Sequence, residues 1–142
     1  MYSGYVGESK GEINDKQSLK PAKARAFKLV SLCSAESVGI TEFLMRLPHP
    51  TDQIKKSIHA AVEWLEQVKI PGHKFVDKND VKQPKGKDQV LIKQEGNITW
   101  ARFYTIEANE PLFSRRDSAP KKTVAEIEHE RRTGYAWYGE WP

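Results

Sequence analysis

A chain of 142 residues suffices for one domain with a hydrophobic core and leaves little room for two. Lysine and arginine outnumber aspartate and glutamate by 23 to 19, and the formal charge of +4 favours an anionic partner without choosing among nucleic acid, acidic glycan and acidic lipid. The lone Cys33 excludes an internal disulfide and a cysteine-rich metal site, and no run approaches the roughly 18 apolar residues of a membrane span.

Along the chain, residues 1–20 carry Gly4, Gly7 and Gly11 among polar groups and read as a loop or a short edge strand. The stretch MYSGYVGESKGE lacks the apolar centre of a secretory signal, so any export signal is expected outside this chain. Phe27, Leu29 and Leu32 predict an extended segment. Ser34 or Ala35 then opens a helix carrying Val38, Ile40, Phe43, Leu44 and Leu47, which Pro48 and Pro50 stop. Thr51 is placed to cap a second helix over 51–68, where Ile54, Ile58, Ala61, Val62, Leu65 and Val68 recur at helical spacing on one face. Residues 73–88 read as a lysine-rich connection. Val90–Ile92 and Thr99–Tyr104 read as two strands of a hairpin, turned by Gln94-Glu95-Gly96-Asn97. Residues 107–122 return to loop chemistry, and Thr123 can cap a short charged helix through about Arg132, ended by Gly134.

General motifs are sparse. His49, His59, His73 and His129 are scattered without metal-ligand spacing, and His59, near the apolar face of its helix, fits ordinary packing. The sequence has no Gly-rich phosphate loop, nucleophile elbow or zinc signature, and Asp77, Asp80 and Asp88 lie too far apart for an EF-hand loop. In WARFY and ERRTGYAWY, basic residues stand beside aromatics, as an anionic polymer would require and as solvated surface charge would also produce. On a strand, Trp100, Arg102 and Tyr104 share one face, with the arginine between two aromatic rings.

Read as ordered phrases, PAKARAFKLVSL with SAESVGITEFLMRL, AAVEWLEQVKI, WARFYTIEANEPLFSRRD and ERRTGYAWYGEWP resemble the C-terminal half of a bacterial pectate lyase of polysaccharide lyase family 10. The resemblance covers residues 19–142 as part of the catalytic domain and leaves 1–18 as a poorly matched N-terminal segment. It implies a mainly α fold, part of an (α/α) toroid, with a small β-hairpin and long loops. It implies cleavage of polygalacturonate (pectate) by β-elimination, in which a base removes the C5 proton of a uronate and the C4 glycosidic oxygen leaves. Calcium and cationic side chains would stabilise the enolate-like charge on the adjacent carboxylate.

By this resemblance Arg25 in PAKARAF matches the family's arginine base, and Arg102 in WARFY matches an arginine that clamps a substrate carboxylate. A guanidinium is a poor base unless neighbouring cations lower the cost of deprotonation, a role that suits Lys23 and calcium. Arg116 in SRRD is a further substrate-binding candidate, although an Arg116-Asp117 step also fits a structural ion pair. Near Gln89 the family often carries another substrate arginine that this sequence lacks. The calcium ligands are expected mainly outside this chain, in an N-terminal half of the same protein that would act as its partner. The isolated chain is accordingly expected to be inactive. Tyr135, Trp137 and Trp141 are expected to pack down the terminus where the family's catalytic domain closes. Secreted, extracellular or periplasmic location follows by resemblance, with neither nucleic acid nor membrane as partner. Two other readings stay open: a non-catalytic acidic-polysaccharide-binding module using Arg102 and the tail, and nucleic-acid binding through the lysine-rich 73–93 stretch.

Overall fold

The computed structural model describes residues 27–141; the loop or edge strand expected over 1–20, Lys23 and Arg25 lie outside them. Helix α2, Asp52–Val68, forms where the apolar spacing predicts it. Thr51 is its N-cap and accepts a hydrogen bond from Ile54 N at 3.3 Å. The backbone becomes extended at Lys69, just before Ile70-Pro71, where the proline ring disfavours a helical Ile70.

The preceding helix, α1 (Ser34–Met45), also stands where it is predicted, but it turns the unexpected face inward. Ser34, Ser37 and Thr41 are buried, whereas Phe43 and Met45 are each 63% exposed. The small hydroxyl residues recur at i, i+3 and i+7, so they form one stripe along which another backbone can approach. Ser34 Oγ donates to Ala101 O at 2.7 Å, and Thr41 Oγ1 bonds back to Ser37 O at 2.7 Å. A short strand, β1 (Leu32–Cys33), leads into this helix.

The largest correction concerns residues 70–101. Instead of a lysine-rich connection, β2 (Ile70–Asn79) pairs antiparallel with the 15-residue β3 (Lys87–Ala101). The stretch Gln94–Asn97 does not turn a hairpin. Pro71 pairs with Ile98 and His73 with Lys93, so these four residues bulge opposite Gly72. Gly72 and Gly96 both have positive φ, at 68° and 77°, which the irregularity requires and glycine tolerates. The real turn lies at Asp80–Gly86, closed by Asp80 N donating to Gly86 O at 2.9 Å.

Further strands are short: β4 (Phe103–Tyr104), β5 (Phe113–Ser114), β6 (Pro120–Lys121) and β7 (Tyr138–Gly139). β4 pairs with β1, β5 with β6, and β7 adds to β3, giving a sheet of order β2-β3-β7. The aromatic tail is therefore stitched in as a strand, with Trp100 opposite Gly139 and Ala101 opposite Tyr138. The helix expected from Thr123 to Arg132 is split. Val124–Glu126 forms a single 3-10 turn, and α3 covers His129–Thr133. Ile127 between them is extended and only 3% exposed, so its burial breaks the helix.

The mainly α, toroidal expectation is thus overturned: the described residues form three helices and antiparallel strands. Helix periodicity was visible in two segments, but the chain between them and the tail spends its backbone hydrogen bonds on strands. The core gathers Leu65 and Val68 of α2 with Trp100, Ala101, Tyr104, Phe113, Val124, Ile127, Trp137 and Tyr138. Polar atoms of these aromatics are satisfied inside it: Trp100 Nε1 donates to Leu65 O at 2.8 Å, and Tyr104 Oη to Val68 O at 2.9 Å. None of the described helices is long and apolar enough to cross a membrane.

Candidate functional site

Arg102 occupies the break between β3 and β4, and its backbone is fixed from both sides. Its N–H donates to Trp137 O at 2.8 Å, and its carbonyl accepts from Ser34 N at 2.9 Å. Trp100 and Tyr104 do not flank its guanidinium on an open face, as strand alternation predicts; both rings are buried in the core. The aromatics beside it come from the tail instead. Arg102 Cζ lies 5.0 Å from the ring centre of Tyr135 and 6.0 Å from that of Trp141. Its Nη2 donates to Glu36 Oε1 at 2.8 Å, while Nε is buried and has no hydrogen-bond partner among the described residues.

Trp141 is held there by two contacts. Its Nε1 donates to Ser34 Oγ at 2.8 Å, and its ring lies so close to Gly139 that a Cβ there would fall 1.8 Å from Cζ3. Tyr135, by contrast, is 37% exposed and stacks at 9° on Phe103, with 6.1 Å between centres. Burial pushes its phenol above the ordinary value, against the pull of the Arg102 charge. Trp137 is 1% exposed and donates its Nε1 to Arg131 O at 2.8 Å. Of the tail residues expected to pack the terminus, Trp137 is fully buried, Trp141 is partly covered, and Tyr135 keeps an open edge.

From Tyr135 the aromatic run continues to a second group of cations. Tyr135 and Trp137 are 5.1 Å apart, Arg131 Cζ lies 5.3 Å from Trp137 and 4.8 Å from Phe27, and Arg116 Cζ lies 5.6 Å from Phe27. Arg102 and Arg116, distant in sequence, thus belong to one ladder of rings and guanidinium groups. Arg116 Nε donates to Glu130 Oε1 at 2.7 Å, so the ion partner of Arg116 is on α3 and not the adjacent Asp117. Burial, and then the nearby charge of Arg116, pull the Arg131 pKa below its usual value.

Sequence reasoning gave Glu36 no role and did not tell Arg131 from Arg132 within ERRTGYAWY. The signal available was the Arg131-Arg132 doublet, whose members point about 100° apart on a helix. Arg132 turns inward and forks Asp88, with Nε to Oδ1 at 2.6 Å and Nη2 to Oδ2 at 3.0 Å. That pair lines a groove of about 520 Å³ with Leu91, Val124 and Tyr138, and each charge there satisfies the other. Gln89, where the resemblance lacks an arginine, donates to Asp77 Oδ1 at 2.8 Å across the hairpin. His59 is exposed on α2 and does not pack as expected. No group of three or more His, Cys, Asp or Glu among the described residues could hold a metal ion.

The sequence model of the pectic acid lyase family matches residues 10–142. The chain belongs to that family. The family 10 polysaccharide lyase from Cellvibrio cellulosa is similar over 88% of this chain, with 31% identity and a TM-score of 0.73. A mutant of that lyase, solved in complex with trigalacturonic acid, is similar over 87% of the chain, with 32% identity and a TM-score of 0.72. The search of curated proteins returns no match. Each solved relative is longer: this chain spans 37% of its length.

Within the family frame, the described residues bring together Arg102, Arg116 and the tail aromatics. Lys23 and Arg25 precede Phe27 in sequence, and Phe27 carries two of the cation contacts of the ladder.

Proposed function

We propose that this chain is part of a pectate lyase that cleaves polygalacturonate by β-elimination, and that its share is to grip uronate carboxylates and remove the C5 proton. Arg102 carries the reading. Its guanidinium is set beside the rings of Tyr135 and Trp141, on a backbone pinned through both N–H and carbonyl, within a family whose solved relative holds trigalacturonic acid. Through Nη1 and the second hydrogen of Nη2, beside the bond to Glu36, this guanidinium can hold a carboxylate, fixing the sugar and favouring the charge that builds on the carboxylate as the C5 proton departs. Arg116 would serve a neighbouring carboxylate. Arg25 is the proposed base, with Lys23 beside it in sequence lowering the cost of its deprotonation through like-charge repulsion. The calcium implied by the resemblance would take its ligands from outside the described residues, and the roles assigned to these side chains do not pass through it.

Electrophoresis through gels containing polygalacturonate tests the grip. Retardation of the chain is expected, and a weaker retardation of Arg102→Gln; migration unaffected by the polymer would sink the proposal. Chemistry is read from the ultraviolet absorbance of the unsaturated product, in a protein spanning the full length of the solved relatives and supplied with calcium. There Arg25→Ala is expected to abolish product while retaining binding, and normal turnover would remove Arg25 as the base. Retardation combined with no product even in that longer protein would favour a non-catalytic polysaccharide-binding role.

A further inference from the structure

We infer that Arg131 is a further substrate-contacting residue, a third site for a uronate carboxylate on the ladder that carries Arg102 and Arg116. The inference rests on the polygalacturonate reading above and adds to it a residue that the resemblance does not assign.

Its neighbours supply the first argument. Arg102 pairs with Glu36, Arg115 with Glu128, Arg116 with Glu130 and Arg132 with Asp88, each within ion-pair distance. Arg131 has no such carboxylate among the described residues. Among the described residues its side chain makes one hydrogen bond, from Nε to Ser114 O at 2.8 Å, and neither terminal nitrogen meets an acceptor there. Glu128 and Glu130 favour its charge only from beyond ion-pair distance, and a partly buried guanidinium next to another cation is costly to leave without a direct partner.

Geometry supplies the second. The guanidinium lies between the rings of Phe27 and Trp137, at 4.8 and 5.3 Å, and Nε is anchored to β5. Two aromatic contacts and one hydrogen bond fix its plane before any ligand arrives, so little rotamer entropy remains to be lost on binding. The unbonded Nη edge is the part of the group that forks a carboxylate. A phosphate could use the same edge. The aromatic run linking Arg131 to Tyr135 and Arg102 favours a chain of acidic sugars, because successive carboxylates could then meet successive guanidinium groups.

The test compares trigalacturonate with its methyl ester, a ligand of the same shape without the charges. Binding to the whole chain is followed by calorimetry, together with the Nε–Hε resonance of Arg131. The acid is expected to bind more tightly than the ester and to shift that resonance, which the ester leaves in place. Arg131→Gln should shrink the preference for acid over ester by about tenfold or more, since it removes a charge-assisted fork. Arg131→Lys, keeping the charge without the fork, should recover part of it. A purely structural role would weaken acid and ester alike and leave their ratio unchanged. An unchanged ratio in Arg131→Gln, or an unshifted Arg131 resonance in the unaltered chain saturated with acid, would overturn the inference alone. No binding of trigalacturonate by the unaltered chain would overturn both it and the function it rests on. Equal binding of inorganic phosphate at the same resonance, with no acid preference in the trisaccharide, would replace the uronate by a simple anion and overturn it too.

Discussion

Replacing Asp88 by Asn removes one charge from an ion pair whose side chains are only 10% and 11% exposed, and leaves the other in place. Asp88 accepts from Arg132 Nε at 2.6 Å, from Arg132 Nη2 at 3.0 Å and from Gln89 N at 2.8 Å. With its oxygen in the place of Oδ1, the amide can keep two of these acceptor roles, from Arg132 Nε and Gln89 N. Its NH2, however, faces the Arg132 Nη2 donor, and the Arg132 charge loses its counter-ion; the bond from Nη1 to Ile127 O at 2.9 Å is untouched. Breaking a buried pair from one side costs about 3–5 kcal/mol, a large part of the about 5–15 kcal/mol that holds a typical domain folded. In a chain of this size that corresponds to a drop of roughly 10–20 °C in melting temperature. Circular dichroism melts and urea titrations measure it directly. The double variant Asp88→Leu with Arg132→Met should recover most of the loss, because an apolar pair of similar volume carries no desolvation cost. The pH dependence has a defined sign. The hydrogen bond from Arg132 holds the Asp88 carboxyl below its ordinary 3.8, so its stabilisation is complete above that value and disappears as pH falls through the lowered one. Asp88→Asn should lack this acid-labile component. A loss below about 1 kcal/mol, the range of solvent-exposed pairs, would refute the claim that this pair ties β3 to α3 from inside the fold.

Gly139→Ala would drive a Cβ into the Trp141 ring, whose Cζ3 stands 1.8 Å away, so the indole must leave Ser34 and Arg102. Tryptophan fluorescence should shift red and polygalacturonate retardation should weaken; an unchanged spectrum would show that the ring is not held as described. Tyr104→Phe strips the bond to Val68 O and the acceptor for Ala101 N, and the two stranded groups should cost about 1–3 kcal/mol in denaturant titrations. Burial pushes the Tyr104 phenol up to about 12 from 10.0, so the folded chain holds its proton longer and this stabilisation declines as pH rises above the unfolded value. Ultraviolet titration should find Tyr104 among the last phenols to ionise, and ionisation near 10 would contradict its burial. Phe43→Lys combined with Met45→Lys should change stability by under about 0.5 kcal/mol, because both side chains are largely in solvent. A large destabilisation in denaturant titrations would mean that these side chains are packed.

What the sequence by itself determined was local. Thr51 and the spacing from Ile54 to Val68 define α2, because a cap and a helical period are set within a few residues of each other. The same holds for the start of α1 and for the capping residue Thr123, whose N–H bonds Glu126 Oε2 at 2.9 Å. Long ordered phrases carried the family, and with it Arg102 and Arg116 as candidates. The tertiary structure decided everything that depends on a distant partner. Strand β2 reads as a polar connection until β3 is laid beside it, since none of its residues is buried and no apolar alternation marks it. Helix α1 reads as apolar, yet it buries its hydroxyl stripe because Ala101 O, 67 residues away, takes the bond from Ser34. Of two adjacent arginines, Arg132 is neutralised by Asp88 across 44 residues while Arg131 is left facing rings. Periodicity and caps are short-range properties of the chain, whereas pairing, burial and charge compensation are settled only when remote segments meet.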